Sequence, residues 1–161
     1  MKRNILVLGL AFLGYALKAE AQTTRKIYID PGHGGTDAGA VNDTFGTREA
    51  DRVLFTGLAF RDYLNQDTAN TSGGGNWQVR LSRSENLDVE LATRATDANS
   101  WGADRFLSIH QNAFNDSANG TETFSFSNTG TSFQLSTLVQ EEAILAWNRV
   151  NRGTKVGNFL V

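Results

Sequence analysis

The sequence predicts a single α/β domain, a largely parallel or mixed twisted sheet flanked by helices. Short apolar or alternating stretches recur along the chain, and between them lie longer segments with apolar residues three or four apart. Strands alternating with helices of this length imply βαβ units with right-handed crossovers, and hence mostly parallel pairing. At 161 residues and 40% hydrophobic content, the chain is long enough for one domain with a real core. No internal repeat or linker divides it.

The elements follow in order. Lys26-Ile-Tyr-Ile-Asp30 reads as a short buried strand stopped by Pro31. The loop to Arg48 is rich in Gly, Thr and Asp. From Glu49, the spacing of Val53, Leu54, Leu58, Phe60 and Leu64 predicts a helix ending near Asn65, with Thr47 as its N-cap. Gln66 to Asn76, with three glycines, is a polar surface loop. Trp77 to Ser82 alternates as a strand. Leu87 to Trp101 predicts a helix with Leu87, Leu91, Ala95 and Ala98 on its buried face, closed by Gly102. Arg105 to His110 is a strand with an apolar middle, as expected for burial on both faces. Thr121 to Ser127 alternates again, and a helix is predicted from about Ser132 to Val150. Asn151-Arg-Gly then turns into a further strand. Trp77, Trp101 and Trp147 are expected to pack in the core.

The first residues differ in kind from the rest. Met1-Lys-Arg-Asn4 is basic, Ile5 to Leu17 is apolar, and Lys18-Ala-Glu-Ala21 ends in an A-x-A pattern. This predicts a secretory signal peptide over residues 1–21, cut before Gln22, and a domain over 22–161. The apolar run is shorter than the roughly 20 residues of a spanning helix, so no stable membrane span is expected after its removal. Of 15 basic residues three lie in the leader, and of 17 acidic residues one, leaving 12 and 16 and a net charge of −4. A mildly acidic domain lacks the electrostatic footprint of nucleic-acid binding. Cysteine is absent, so any metal site must use His, Asp or Glu.

Only two histidines exist, His33 and His110. His33 follows the first strand within Asp30-Pro-Gly-His-Gly-Gly35, and His110 closes the strand from Arg105. In open α/β sheets, ligands bind beyond the carboxyl ends of strands, where both histidines fall. Glu49 opens the first helix. Two imidazoles and a carboxylate suit a catalytic zinc site with one open position. Each residue also has an ordinary reading: His110 as a hydrogen-bonded strand end, Glu49 as a partner of the helix dipole, His33 as a turn residue. Asp30 is read either as orienting His33 or as a strand-end cap. Asn112, two residues past His110, is a candidate for hydrogen bonding near the site.

From Lys26 onward the sequence resembles the zinc-dependent N-acetylmuramoyl-L-alanine amidases of the amidase-3 type. The matching stretches are Ile29-Asp-Pro-Gly-His-Gly-Gly35, Gly46-Thr-Arg-Glu49, Arg80-Leu-Ser-Arg83, Leu91-Ala-Thr-Arg94 and Ala98-Asn99. Ala103 to Ala113, Gly120-Thr-Glu-Thr123 and Asn151-Arg-Gly153 follow in the family's order. The resemblance implies a phosphorylase/hydrolase-like fold and one Zn2+ held by His33, Glu49 and His110. It also implies a peptidoglycan substrate, cut between N-acetylmuramic acid and the L-alanine of the stem peptide. The location implied is exported, in the periplasm or at the cell envelope, and the identity of any activator protein is left open.

In that family the proton carrier is a glutamate on a strand after the Asn-Arg-Gly turn, in a segment resembling L-V-E-x-G-F. The present sequence ends at what resembles the preceding strand, so this glutamate is expected beyond Val161 and the domain is expected to be incomplete. Glu122 is read as an exposed or edge-strand carboxylate rather than a substitute, and Glu141 and Glu142 as solvated. Arg94 is expected to pair with Asp104. Two alternatives stand beside the hydrolase. One is a non-catalytic peptidoglycan-binding or regulatory relic, or inactive fragment, of the same fold. The other is a glycosidase using acids such as Asp37 and Glu49.

Overall fold

The computed structural model describes residues 23–70, 72–111 and 119–159. The leader and Asn112 lie outside these described residues. The elements are β1 (Arg25–Pro31), β2 (Val41–Asn42), β3 (Thr47–Arg48), α1 (Glu49–Ala69), β4 (Trp77–Leu81), α2 (Leu91–Trp101), β5 (Arg105–Ile109), β6 (Thr121–Ser125), α3 (Gly130–Trp147) and β7 (Asn151–Val156).

Among the described residues the strands form two parallel blocks. β1 lies between β4 and β5, with Ile29 opposite Leu81 on one side and Leu107 on the other. β6 and β7 pair in parallel, with a register irregularity at Thr121/Glu122. A short antiparallel hairpin, β2 with β3, was not anticipated from sequence.

The alternation of side chains along β1 sorts the two faces of the central sheet. Ile27 and Ile29 point toward α1, where they meet Leu64 and pack with Phe60, Val79, Leu81, Leu107 and Ile109. Tyr28 points the other way, stacks on Phe106 at 5.6 Å, and donates to Asp97 of α2 at 2.8 Å. Asp30 shares that second face and meets α2 as well. β1 is therefore buried from both sides and carries its end, Pro31, to a fixed place.

Several expected details are corrected. α1 runs to Ala69, beyond Asn65. Thr47 is not its N-cap: it belongs to the hairpin, and Arg48 occupies the cap position without a side-chain bond. The orphan N–H groups of Glu49 and Ala50 are instead taken by the carbonyls of Ala40 and Ala38, at 2.7 and 3.1 Å. α2 starts at Leu91, not Leu87, and both leucines are half exposed, at 50% and 53%. The cause is that the preceding segment is held to the glycine loop, with Asn86 and Asp88 accepting from the N–H groups of Gly35 and Thr36. The buried residues of α2 are Arg94 and Ala98. β5 is only partly buried rather than covered on both faces. Trp77 and Trp101 pack at the edges of the core, but Trp147 is 60% exposed.

Candidate metal centre

Pro31 ends β1, and the chain turns through Gly32 and His33 directly beyond the carboxyl edge of the sheet. Gly32 donates its N–H to Ile109 at 3.0 Å, which lashes this turn to the end of β5, where His110 follows. A side chain at position 32 would strike the His110 ring. Gly39, at φ 62°, is constrained in the same way: a Cβ there would lie 2.6 Å from His33 Cδ2 and 2.8 Å from Glu49 Oε2. The glycines around His33 thus let three polar side chains and two backbone segments share one small space.

His33 is itself left-handed, at φ 57°, an uncommon state for a residue with a Cβ. Two buried guanidinium groups hold the turn. Arg83 donates to the carbonyls of Pro31, Gly32 and Ala50 at 2.7–2.9 Å. Arg94 donates to the carbonyl of His33 at 2.8 Å, to Pro31 at 2.9 Å and to the Asp30 carboxylate at 2.7 Å. The expected Arg94–Asp104 pair is not formed, because Arg94 points under the turn; Asp104 instead accepts from the backbone of Lys26 and lies 3.8 Å from Arg25.

His33, Glu49 and His110 converge. Glu49 Oε1 lies 3.1 Å from His33 Nε2 and 3.1 Å from His110 Nδ1, and the two ring nitrogens are 3.2 Å apart. Glu49 is 4% exposed, His33 23% and His110 48%, so the group is closed beneath and open on the His110 side. The two carboxylate oxygens are further tied by N–H donors, Ala40 to Oε2 at 3.0 Å and Gln111 to Oε1 at 2.7 Å. Burial works against ionisation of Glu49, but the bonds from His110, Ala40 and Gln111, with the nearby His33, outweigh it and hold its pKa down at about 2.

Asp37 lies against the outer edge of the His33 ring. Its Oδ2 lies 2.8 Å from His33 Nδ1, and its Oδ1 accepts from Gly39 N–H at 3.0 Å. Carboxylates thus flank both ring nitrogens, Asp37 the nearer at Nδ1 and Glu49 at Nε2, 3.1 Å away. The bonds from Gly39 and His33 in turn lower the Asp37 pKa. Asp30 does not touch the His33 ring: it accepts from Ser82, Ser108 and Arg94. Of the two roles open to Asp30, orienting His33 therefore falls instead to Asp37, expected above only as a glycosidase acid. The signal was present as an aspartate four residues after His33. As a glycosidase pair, Asp37 and Glu49 fail, because the His33 imidazole lies between them.

The donor set fits a metal ion. Three donor atoms 3.1–3.2 Å apart approach the edge of a tetrahedron with bonds of roughly 2.0–2.1 Å, about 3.3–3.4 Å. A groove of about 380 Å³ runs from His33 and His110 along Asp37, Asp88, Val89 and Leu91. Glu122 has no part in it: it lies on β6, which pairs only with β7 among the described residues, and it is held by Arg152 and Lys155 at 10% exposure, an edge-strand carboxylate rather than an exposed one. Glu141 and Glu142 are exposed, as expected. No helix of the described residues is long and apolar enough to cross a membrane.

A parallel sheet presenting two imidazoles and a carboxylate at its carboxyl rim defines a candidate metallohydrolase. The chain belongs to the N-acetylmuramoyl-L-alanine amidase family Amidase_3, whose profile matches residues 27–161. It is 39% identical over 137 residues to the N-acetylmuramoyl-L-alanine amidase CwlM of Bacillus licheniformis, covering 84% of this chain and 50% of that protein. It is 37% identical to the sporulation-specific N-acetylmuramoyl-L-alanine amidase of Bacillus subtilis, again over 84% of this chain and 50% of the relative. The chain thus spans about half the length of these curated relatives. The catalytic domain of CwlV, an amidase from Bacillus (Paenibacillus) polymyxa var. colistinus, superposes with a TM-score of 0.73 at 29% identity, covering 85% of this chain and 72% of that one. The CwlD amidase of Clostridioides difficile, solved in complex with the GerS lipoprotein, superposes with a TM-score of 0.69 at 26% identity, over 83% and 73% of the two chains.

Proposed function

We propose that the chain is the catalytic part of an exported zinc amidase that cuts peptidoglycan between N-acetylmuramic acid and the L-alanine of the stem peptide. The observation that carries this reading is the triangle of donor atoms on His33, Glu49 and His110, found in a chain of this family. These three residues would hold the ion. When bound, zinc supplies Lewis acidity for the scissile carbonyl and for water.

The chain's own residues do the rest. Glu49, ionised throughout the neutral range, contributes the negative charge of the site and is kept from swinging away by Ala40 and Gln111. His33 sets Nδ1 against Asp37 and turns Nε2 toward the space shared with Glu49 and His110. The groove beside the histidines receives the substrate, with the aliphatic groups of Val89 and Leu91 next to polar Asp37 and Asp88. Of the described carboxylates, Glu49 and Asp37 are the ones that touch the imidazoles. Since Glu122 is neutralised by two cations, proton delivery to the leaving amine is assigned to a residue outside the described set.

The basic-then-apolar residues 1–21 support export, and a wall substrate requires it. The test is digestion of purified peptidoglycan by the zinc-loaded chain. New L-alanine amino termini without new reducing sugar ends are expected. New reducing ends would overturn the amidase reading, and binding without cleavage would identify a non-catalytic relic.

A further inference from the structure

We propose that Asp37 is a positioning residue for the metal centre: one carboxylate holds His33 in its Nδ1–H form and fixes the loop that ties down Glu49. The inference rests on the zinc reading above and assigns a task to a residue outside the donor triangle. Asp37 uses both oxygens. Oδ2 lies 2.8 Å from His33 Nδ1, and Oδ1 takes Gly39 N–H. The Asp37 backbone is bonded in both directions to Gly34, at 2.9 and 3.0 Å, so the carboxylate is anchored on the far side of the histidine.

From Gly39 the effect passes to the second donor. The next residue, Ala40, donates to Glu49 Oε2 and accepts from Glu49 N–H, and Ala38 accepts from Ala50 N–H. The strip from Asp37 to Ala40 therefore lies along the first turn of α1 as a brace, and Asp37 is where the brace meets the imidazole. Without it, the His33 ring would be free to rotate or to carry its proton on Nε2, where it would block the shared space between the three donors. Outer partners of metal-binding histidines commonly change metal affinity about 10- to 100-fold when replaced.

Asp37→Asn separates positioning from bulk packing. The side chain is 64% exposed, so the isosteric amide leaves the core untouched. An amide has one oxygen for two donors, so its NH2 must face either the imidazole N–H or Gly39 N–H. Two measurements on the full chain test the proposal. Long-range 1H–15N spectra of metal-free protein, at about pH 8.5 where an ordinary imidazole is neutral, report which His33 nitrogen carries the proton. Competition with a chelator reports zinc affinity. The expected results are Nδ1–H in the wild type, a shift toward Nε2–H in Asp37→Asn, and zinc affinity lower by about 10- to 100-fold. Asp37→Ala, as the second variant, should weaken zinc binding at least as much. An Nε2–H wild type would overturn the proposal whatever the variants do, as would wild-type affinity and an unchanged tautomer in Asp37→Asn. The tautomer measurement needs no metal, so a wild type that binds no zinc would overturn the metal reading separately.

Discussion

Arg94 and Asp30 form a buried ion pair, 2.7 Å from Nη1 to Oδ1, with the two side chains 4% and 1% exposed. The pair lies under the turn that carries His33, and the same guanidinium reaches the His33 carbonyl. Asp30 is further satisfied by the hydroxyls of Ser82 and Ser108, at 2.6 and 2.8 Å. Replacing Arg94 by Met would leave a buried carboxylate without its counter-charge. That should cost about 3–5 kcal/mol of folding stability, read by urea unfolding of the metal-free chain. A loss below about 1 kcal/mol, within the range of a surface pair, would mean that the turn is held by something else.

Glu49 contributes to the acid sensitivity of the metal-free protein. Its folded pKa, about 2, lies below its ordinary value of 4.5. A group with a depressed folded pKa contributes stability that is fully present above the unfolded value and is lost as pH falls through the folded one. Stability should therefore decline from about pH 4.5 toward pH 2, and Glu49→Gln should flatten that part of the curve. Denaturant melts at stepped pH check this; identical slopes in the two proteins would contradict it.

Two glycines with similar backbone angles should respond differently to alanine. Gly39 and Gly46 lie at φ 62° and 59°, but an added Cβ meets His33 and Glu49 at the first and nothing within 4 Å at the second. Gly46→Ala should cost about 1–2 kcal/mol, the left-handed penalty alone, with zinc binding intact. Gly39→Ala should cost more and weaken zinc binding at least 10-fold. Thermal melts and zinc titration of both variants distinguish them, and equal zinc affinity would show that the donors tolerate a shifted loop.

Glu122 offers a contrast among the acids. Held by Arg152 and Lys155 on the neighbouring strand, it belongs to the β6–β7 pair rather than to the metal centre. Glu122→Gln should leave zinc affinity unchanged within about twofold, which the same titration would show. A large loss of affinity would link the two parallel blocks in a way their hydrogen bonds do not.

The parts of the fold legible in sequence were those set by local pattern. The apolar run of β1 and the alternation of β4 and β6 fixed their strands, and Gly102 marked the end of α2 in a left-handed cap. The errors arose where tertiary contacts override pattern. Leu87 and Leu91 have helical spacing, yet the residues before Leu91 bond to the glycine loop and leave both leucines half exposed. Thr47 looks like a cap, but carbonyls of the incoming loop do that work. At the site, His33, Glu49 and His110 were recognisable as residue types at the carboxyl rim. Their partners were harder to read: Asp104 is the partner the sequence suggests for Arg94, and only the path of the turn selects Asp30. Asp37 lies four residues from His33, but a left-handed histidine is what brings the two side chains together.

The most direct test is metal analysis combined with X-ray absorption on the folded full chain at neutral pH. One zinc per chain is expected, coordinated by two imidazole nitrogens and carboxylate oxygen, and lost from His33→Ala and His110→Ala while the fold survives. A folded chain that takes up no zinc, or one that keeps it after both histidines are replaced, would contradict a metal centre built on His33, Glu49 and His110.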